Sequence, residues 1–172
     1  MDLRYPIGKF SWPESVGADE LRQAVADIAA LPGHLRAAVA GLSPEQLDTP
    51  YRPAGWTVRQ LVHHVADSHM NSYIRFHWAL TEDTPLIKAY DENLWAEVAS
   101  ARGPIEPSLD LVDGLHRRWA PLLESLTPAE WERQFRHPVK DLMRLDVTAA
   151  LYAWHGRHHT AHVTELRRCS GW

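Results

Sequence analysis

The chain has 172 residues, enough for a domain that buries a core without disulfides or a structural metal. Its formal net charge of −4 and its pI of about 6.2 give no broad positive field, which argues against nucleic-acid binding. No apolar run reaches the roughly 20 residues that span a bilayer, and the mean hydropathy of −0.36 is typical of a soluble protein, so no membrane association is predicted.

The side-chain inventory indicates where the protein works and on what. The single cysteine, Cys169, cannot form an internal disulfide, and residues 1–10 lack the basic and then apolar layout of a secretory signal peptide. We therefore expect a cytoplasmic protein that acts on a small molecule. The 11 histidines and 8 tryptophans are many for this length, and the histidines matter more because imidazole is the commonest metal ligand.

Helical periodicity dominates the chain after an N-terminal arm. Residues 1–17, punctuated by prolines and glycines, are predicted to form an extended arm of a single domain that spans residues 1–172. Apolar residues at helical spacing then predict four long helices and a short one, and no strand. The long helices cover about 19–41, with a kink or break at Pro32 and Gly33, then 57–80, 109–126 and 146–168, and the short helix covers about 91–100.

An internal echo predicts how these helices pack. Segments 42–47 and 126–131 each follow a long helix, carry Ser or Thr before Pro, and precede a proline-containing loop and a histidine-bearing helix. Two helix pairs in pseudo-repeat would form a four-helix bundle, a fold whose core commonly receives metals from facing helices, and coincidence is the alternative. The expected fold is therefore all-α, a four-helix bundle with short additional helices in the connections.

The segment 154–162 holds four histidines in nine residues. Residues four apart on a helix lie one turn above each other, so one ion could be bound by either of two pairs. The pairs are His155 with His159 and His158 with His162. All four histidines share a helical arc with apolar residues, whereas Gly156 and Arg157 fall on the opposite, polar arc. The four rings are predicted to face inward, where they must be largely neutral, hydrogen-bonded or metal-bound.

A second histidine cluster lies on the predicted helix 57–80. His64 lies nearer the apolar stripe of that helix than His63 does, so His64 is the better candidate to face the bundle interior. Asp67, one turn from His64, could orient a ligand ring, act as a base, or be an ordinary solvated carboxylate. Spacing alone also allows ordinary core histidines, because this pattern is less specific than a zinc finger or a His-Glu-x-x-His motif. No catalytic residue is assigned.

Longer stretches of the chain resemble a known family. These stretches are residues 51–76 (YRPAGWTVRQLVHHVADSHMNSYIRF), residues 151–155 (LYAWH) with the histidine-rich turn that follows, Tyr5-Pro6-Ile7-Gly8 and Tyr90-Asp91-Glu92. The resemblance is to the YfiT branch of the DinB superfamily. It implies a four-helix bundle that binds one divalent metal ion, zinc or nickel. Carried over to this chain, the implied metal ligands are His64, His155 and His159. The resemblance also implies a homodimer.

The resemblance leaves more than one function open. Members of this branch are described provisionally as metal-dependent hydrolases, and relatives transfer low-molecular-weight thiols such as bacillithiol or mycothiol. Three histidine ligands leave an open coordination position, which could take water or a thiol. We therefore expect a metal-dependent hydrolase, or a thiol S-transferase that uses the same metal, with a non-catalytic metal-binding or pH-sensing module as the third alternative. An enzyme should show a concave, partly apolar cavity beside the metal, which Trp56 or Trp154 could line.

Overall fold

The computed structural model describes residues 3–172, and its four long helices lie close to where the sequence predicts them. In chain order the helices are α1 Ala18–Val39, α2 Pro44–Leu47, α3 Val58–Thr81, α4 Glu92–Ala96, α5 Glu106–Ser125, α6 Pro128–Trp131 and α7 Leu145–Ser170, with a 3-10 helix at Ala99–Arg102. Met1 and Asp2, the start of the predicted arm, lie outside the described residues. The predicted all-α class is confirmed, including the short helices in the connections.

The long helices pack as a four-helix bundle. α1 packs against α5 and α7, and α3 packs against the same two helices, so α1 and α3 lie diagonally across the bundle. The core between them is formed largely by aliphatic and aromatic side chains, among them Ile28, Leu61, Val112, Trp119 and Val163, which are fully buried. Within residues 3–172, no helix has an apolar stretch long enough to cross a membrane.

The two echo segments share one local chemistry at their helix starts. Ser43 accepts a hydrogen bond from the backbone N–H of Gln46, whose side chain accepts one from the Ser43 N–H. Thr127 and Glu130 form the same reciprocal pair at the start of α6. These capping boxes satisfy backbone donors that a helix N-terminus otherwise leaves free, so each segment starts a short helix after a long one.

Two details of the helices differ from the sequence prediction. α1 continues through Pro32 and Gly33 as one helix, which excludes the predicted break but not the alternative of a kink. Gly156 was predicted on the polar arc of α7, but the structure buries it against α1, where an added Cβ would lie 2.9 Å from both methyl carbons of Leu31. The prediction was wrong because glycine was counted as polar, whereas its lack of a side chain is what lets α1 and α7 approach closely beside His155.

The structure also contains a short hairpin that the sequence analysis did not predict. Strand β1, Gln134–His137, pairs antiparallel with β2, Asp141–Arg144, and Phe135 lies opposite Met143 with both side chains in the core. Strands of four residues offer too few alternations for period-two patterning to be recognised. The prediction of no strand was therefore wrong for this segment, which matters because the hairpin forms one wall of the cavity described below.

Candidate metal centre

Three histidines from two helices meet between α3 and α7. His64 lies in the N-terminal half of α3, and His155 and His159 lie one turn apart in the middle of α7. The Nε2 atom of His155 lies 3.2 Å from Nε2 of His64 and 3.1 Å from Nε2 of His159. Ligand atoms of all three residues lie within 4.8 Å of one another. The structure thus brings together the three residues that the family resemblance implies as metal ligands.

The spacing of these nitrogen atoms fits a divalent ion. A tetrahedral ion with metal–nitrogen bonds of about 2.0–2.1 Å separates two of its ligand atoms by about 3.3–3.4 Å. The two Nε2–Nε2 distances at His155, 3.2 and 3.1 Å, are close to that value. In the described part of the chain no carboxylate or thiol joins the three rings. Such a donor set leaves a coordination position open, as catalytic metal sites do.

The other candidate histidines lie outside this group. His63 faces Ser108 and the backbone of Gly103, which lie 2.7 and 3.3 Å from its two ring nitrogens. The alternative pair, His158 and His162, is buried with its Nε2 atoms 3.2 Å apart. Among residues 3–172, no ligand from another element completes a metal site with that pair. Of the alternatives left open by spacing, the structure joins His64 to the pair His155 and His159.

A chain of hydrogen-bonded histidines orients His155. Its Nδ1 lies 3.2 Å from Nε2 of His69, and Nδ1 of His69 lies 3.1 Å from Nε2 of His116. The chain ends at the carbonyl oxygen of Ile28, 2.6 Å from Nδ1 of His116. A carbonyl only accepts, so neutral His116 must donate from Nδ1, and in turn His69 and His155 must donate from Nδ1 as well. His155 is left with its lone pair on Nε2, the nitrogen that faces His64 and His159.

Sequence reasoning did not identify this orienting chain. His116 was not singled out, although a histidine within the apolar stripe of α5 was a usable signal, and both His69 and His116 are fully buried. The sequence leaves Asp67 open as a group that could orient a ligand ring. Its side chain makes no hydrogen bond to a ligand ring in the described structure, and burial raises the pKa of its carboxyl group. The orienting contact comes from His69 instead.

Burial keeps the rings of this region neutral at pH 7. Burial and, after it, the nearby ring of His158 lower the pKa of His64 to about 4. The pKa values of His155 and His159 lie well below the ordinary value, first because of burial and then because neighbouring histidines would repel a second charge. A neutral imidazole keeps the lone pair that binds a metal, so the site is ready for an ion without first losing protons.

A cavity of about 700 Å³ opens beside the three histidines. All three line it, together with Trp56 and Trp154, the two tryptophans considered for this place from the sequence. The ring centroid of Trp56 lies 4.6 Å from that of His64. A concave space of this size, partly apolar and adjoining convergent polar groups, is the form that small-molecule sites take.

Comparison with known proteins agrees with this fold and identifies the family of the chain. The sequence profile of the DinB superfamily matches residues 27–163. A protein from Geobacillus thermodenitrificans (strain NG80-2) is 54% identical over 172 residues, covering 99% of this chain and 97% of its own length. A protein from Bacillus mycoides (strain KBAB4) is 51% identical over 171 residues, 99% of each chain. Both carry the provisional name of metal-dependent hydrolase.

Two solved structures share the architecture. YfiT from Bacillus subtilis, described as a probable metal-dependent hydrolase with an unusual four-helix bundle topology, matches with a TM-score of 0.96 at 46% identity, over 100% of this chain and 99% of YfiT. A mycothiol-dependent maleylpyruvate isomerase matches with a TM-score of 0.66 at 16% identity, over 83% of this chain and 60% of that one, and shares the fold alone. By its sequence along nearly its whole length and by its bundle, the chain belongs to the DinB superfamily and resembles YfiT within it.

Proposed function

We propose that this protein is a metal-dependent hydrolase acting on a small molecule, with one divalent ion, zinc or nickel, held by His64, His155 and His159. The observation that carries the proposal is the convergence of three neutral imidazole nitrogens, at the spacing of a coordinated ion, on the wall of a cavity. The name that the relatives from Geobacillus thermodenitrificans and Bacillus mycoides carry supports the reaction class. The cavity favours an enzyme over a module that only stores or senses ions, which would need no such space.

A divalent ion on three neutral imidazoles supplies Lewis acidity and lowers the pKa of a nucleophile, water in a hydrolase or a thiol in a transferase. The residues of the chain prepare the site for it. His69 and His116 hold the lone pair of His155 towards the ion. The indole ring of Trp56 packs against the ring of His64 and helps to hold it in place. Tyr90 lines the cavity, and burial raises the pKa of its hydroxyl, so it stays protonated and can donate a hydrogen bond to a substrate.

The decisive experiment is an assay of the full chain loaded with zinc or with nickel, against ester and amide panels, with and without cellular thiols. Hydrolysis that needs no thiol, stops with chelator and returns with metal would support the proposal. Product that forms only when a thiol is added would instead assign the S-transferase alternative. The His64→Ala variant is the control for activity that does not depend on the metal, and an equal rate in that variant would contradict the proposal.

We expect His116→Leu to weaken metal binding by about 10- to 100-fold, the usual effect of removing a partner that orients a ligand. His116→Gln should restore most of the affinity, because its amide can donate to the Ile28 carbonyl and accept from His69 at the same time. The measurement is the dissociation constant for zinc by competition with a chelator. Equal weakening in both variants would mean that His116 only fills space.

We also propose that the protein is a homodimer. Trp12, Trp78 and Trp95 are exposed by 51%, 39% and 39%, and aromatic surface of this kind is enriched at protein interfaces. Light scattering should give twice the chain mass of 19.6 kDa. The monomer mass across a wide concentration range would contradict the prediction.

The cytoplasmic location and the single domain over residues 1–172 also stay predictions. In support of the single domain, the N-terminal arm contacts α7 directly. The indole N–H of Trp154 donates to the carbonyl oxygen of Gly8 at 3.2 Å, and the backbone N–H of Val16 donates to Asp146 at 3.2 Å.

A further inference from the structure

Arg75 is a buried cation without a counter-charge. The residue is 8% exposed, and in the described structure it makes no hydrogen bond and no ion pair. A guanidinium group stays charged at any physiological pH, and a buried charge is stable only when an opposite charge and hydrogen-bond acceptors compensate for its lost hydration. No carboxylate of residues 3–172 takes that part. The side chain therefore has the properties of a binding group rather than of a structural ion pair.

Arg75 and the candidate metal ligands line the same cavity. Arg75 follows His64 by 11 residues on α3, which is about three helical turns and returns the side chain to nearly the same face of the helix. Ser68, which also lines the cavity, lies between them on that face. A small molecule in the cavity can therefore contact the metal centre at one end and the guanidinium group of Arg75 at the other.

The unexpected hairpin supplies a second donor at the Arg75 end. The Nδ1 atom of His137 accepts hydrogen bonds from the backbone N–H groups of Val139 and Lys140, at 3.2 and 3.3 Å. Burial lowers the pKa of His137, and the nearby charges of Arg75 and Lys140 lower it further. A neutral ring that accepts at Nδ1 carries its proton on Nε2, so His137 offers an N–H donor beside the guanidinium group.

The charges along the cavity favour an anion. Among the lining residues that the structure describes are the cations Arg52, Arg75 and Lys140 and one carboxylate, that of Glu92, in a chain whose formal net charge is −4. The excess of positive charge is thus local to the cavity, where low-dielectric walls strengthen its field.

We propose that Arg75 and His137 form a subsite for a carboxylate group of the substrate, so that the substrate of this enzyme is a small organic acid. The two donors of a guanidinium edge match the two oxygens of a carboxylate, and within the subsite the charge of Arg75 balances one negative charge because the ring of His137 is neutral. The inference rests on the proposed function, because the subsite serves a substrate only if the metal centre in the same cavity is where the reaction takes place. Binding of the carboxylate itself can be tested without catalysis.

The test is titration calorimetry of the zinc-loaded full chain with adipate, with the matched neutral diamide adipamide and with inorganic phosphate, all at constant ionic strength. Adipate should bind more tightly than either of the others. Arg75→Gln should weaken adipate binding at least tenfold and retain its zinc. The affinity of Arg75→Lys for adipate should lie between those of the wild type and Arg75→Gln, because lysine keeps the charge but loses the paired donors. The matched control is Arg118→Gln, which removes an exposed arginine that lies over the ring of Tyr73 on the outer surface.

Adipate affinity unchanged in Arg75→Gln would overturn the proposal, since the metal alone would then hold the acid. Phosphate binding tighter than adipate would overturn the choice of carboxylate. If Arg75→Gln does not fold, the wild-type comparison of adipate with adipamide and the Arg75→Lys variant decide the question.

The His64→Ala variant separates this subsite from the metal centre, because it should lose zinc and still bind adipate through Arg75. If the wild type hydrolyses no substrate but Arg75→Gln still weakens adipate binding, the proposed reaction is refuted and the carboxylate subsite is supported.

Discussion

Replacing any one of His64, His155 and His159 by alanine should reduce bound metal from about one equivalent per chain to near zero after dialysis. Each substitution leaves two imidazoles, and no other donor among the described residues lies close enough to take the missing position. An ion held by these residues would also join α3 to α7, so each variant should lose the thermal stabilisation that added zinc gives to the wild type. Elemental analysis and melting curves with and without zinc measure both effects.

His63→Ala and His158→Ala are the matched controls for these variants, since each removes a neighbouring histidine from the same helix. His63 bonds Ser108 and Gly103, and Nε2 of His158 faces His162, so neither ring points at the three proposed metal ligands. Both controls should keep a full equivalent of metal. Full metal in any of the three alanine variants at the proposed ligands would show that the ligand assignment is wrong.

Acidification should unfold the metal-free protein well above the pH at which most proteins denature. Burial is the main cause of lowered pKa values at seven histidines of the interior. The pKa is about 4 for His64, His116, His158 and His162, and well below the ordinary 6.5 for His69, His155 and His159. In the unfolded chain each ring takes up a proton near pH 6.5. Between pH 6.5 and 4 the unfolded state therefore binds more protons than the folded state, and stability is lost as the pH falls.

The expected effect is large. Each such histidine lowers the free energy of unfolding by up to about 1.4 kcal/mol per pH unit within this window, and seven together by up to about 10 kcal/mol per pH unit. Typical domains have about 5–15 kcal/mol in total, so the metal-free chain should unfold between about pH 6 and pH 5. Above pH 6.5 the same histidines are neutral in both states and should leave the stability unchanged.

Metal and acid act on the same folded state. The ion binds the folded chain and should raise the thermal midpoint at neutral pH, whereas chelator should remove that increase. From sequence alone, protons should compete for the ligands near their ordinary pKa of 6.5. In the folded chain burial lowers the pKa of His64 to about 4 and those of His155 and His159 well below 6.5, so acid should release the metal mainly through unfolding.

A melting series from pH 7.5 to 4.5, with and without chelator, measures the loss of stability, and metal retention is measured on the same samples. A thermal midpoint that stays constant between pH 6.5 and 5 in chelator would contradict the neutral buried cluster. Metal content unchanged at pH 4.5 would contradict coordination by three histidines and point to carboxylate or thiolate ligands.

The sequence by itself determined the features of this protein that depend on neighbours along the chain. Apolar periodicity placed the four long helices, because the core-facing side of a helix repeats every 3.6 residues. The four-residue spacing of His155 and His159 follows from helix geometry in the same way. The likeness to the YfiT branch then selected His64 as their partner, a choice that spacing alone had left open.

The tertiary structure alone decided what depends on how the helices cross. His69 and His116 are 47 residues apart, and neither shows in its local sequence that it will bond the other and hold the lone pair of His155 in place. In the sequence Arg75 looks like an ordinary helical arginine, and only the packing of the bundle shows that it is buried without a counter-ion. The hairpin that carries His137 to the same cavity is too short for its alternation to be read. The periodicity of apolar residues indicates which face of a helix or strand is buried. The residues that contact that face are determined by packing between segments that are distant in the chain.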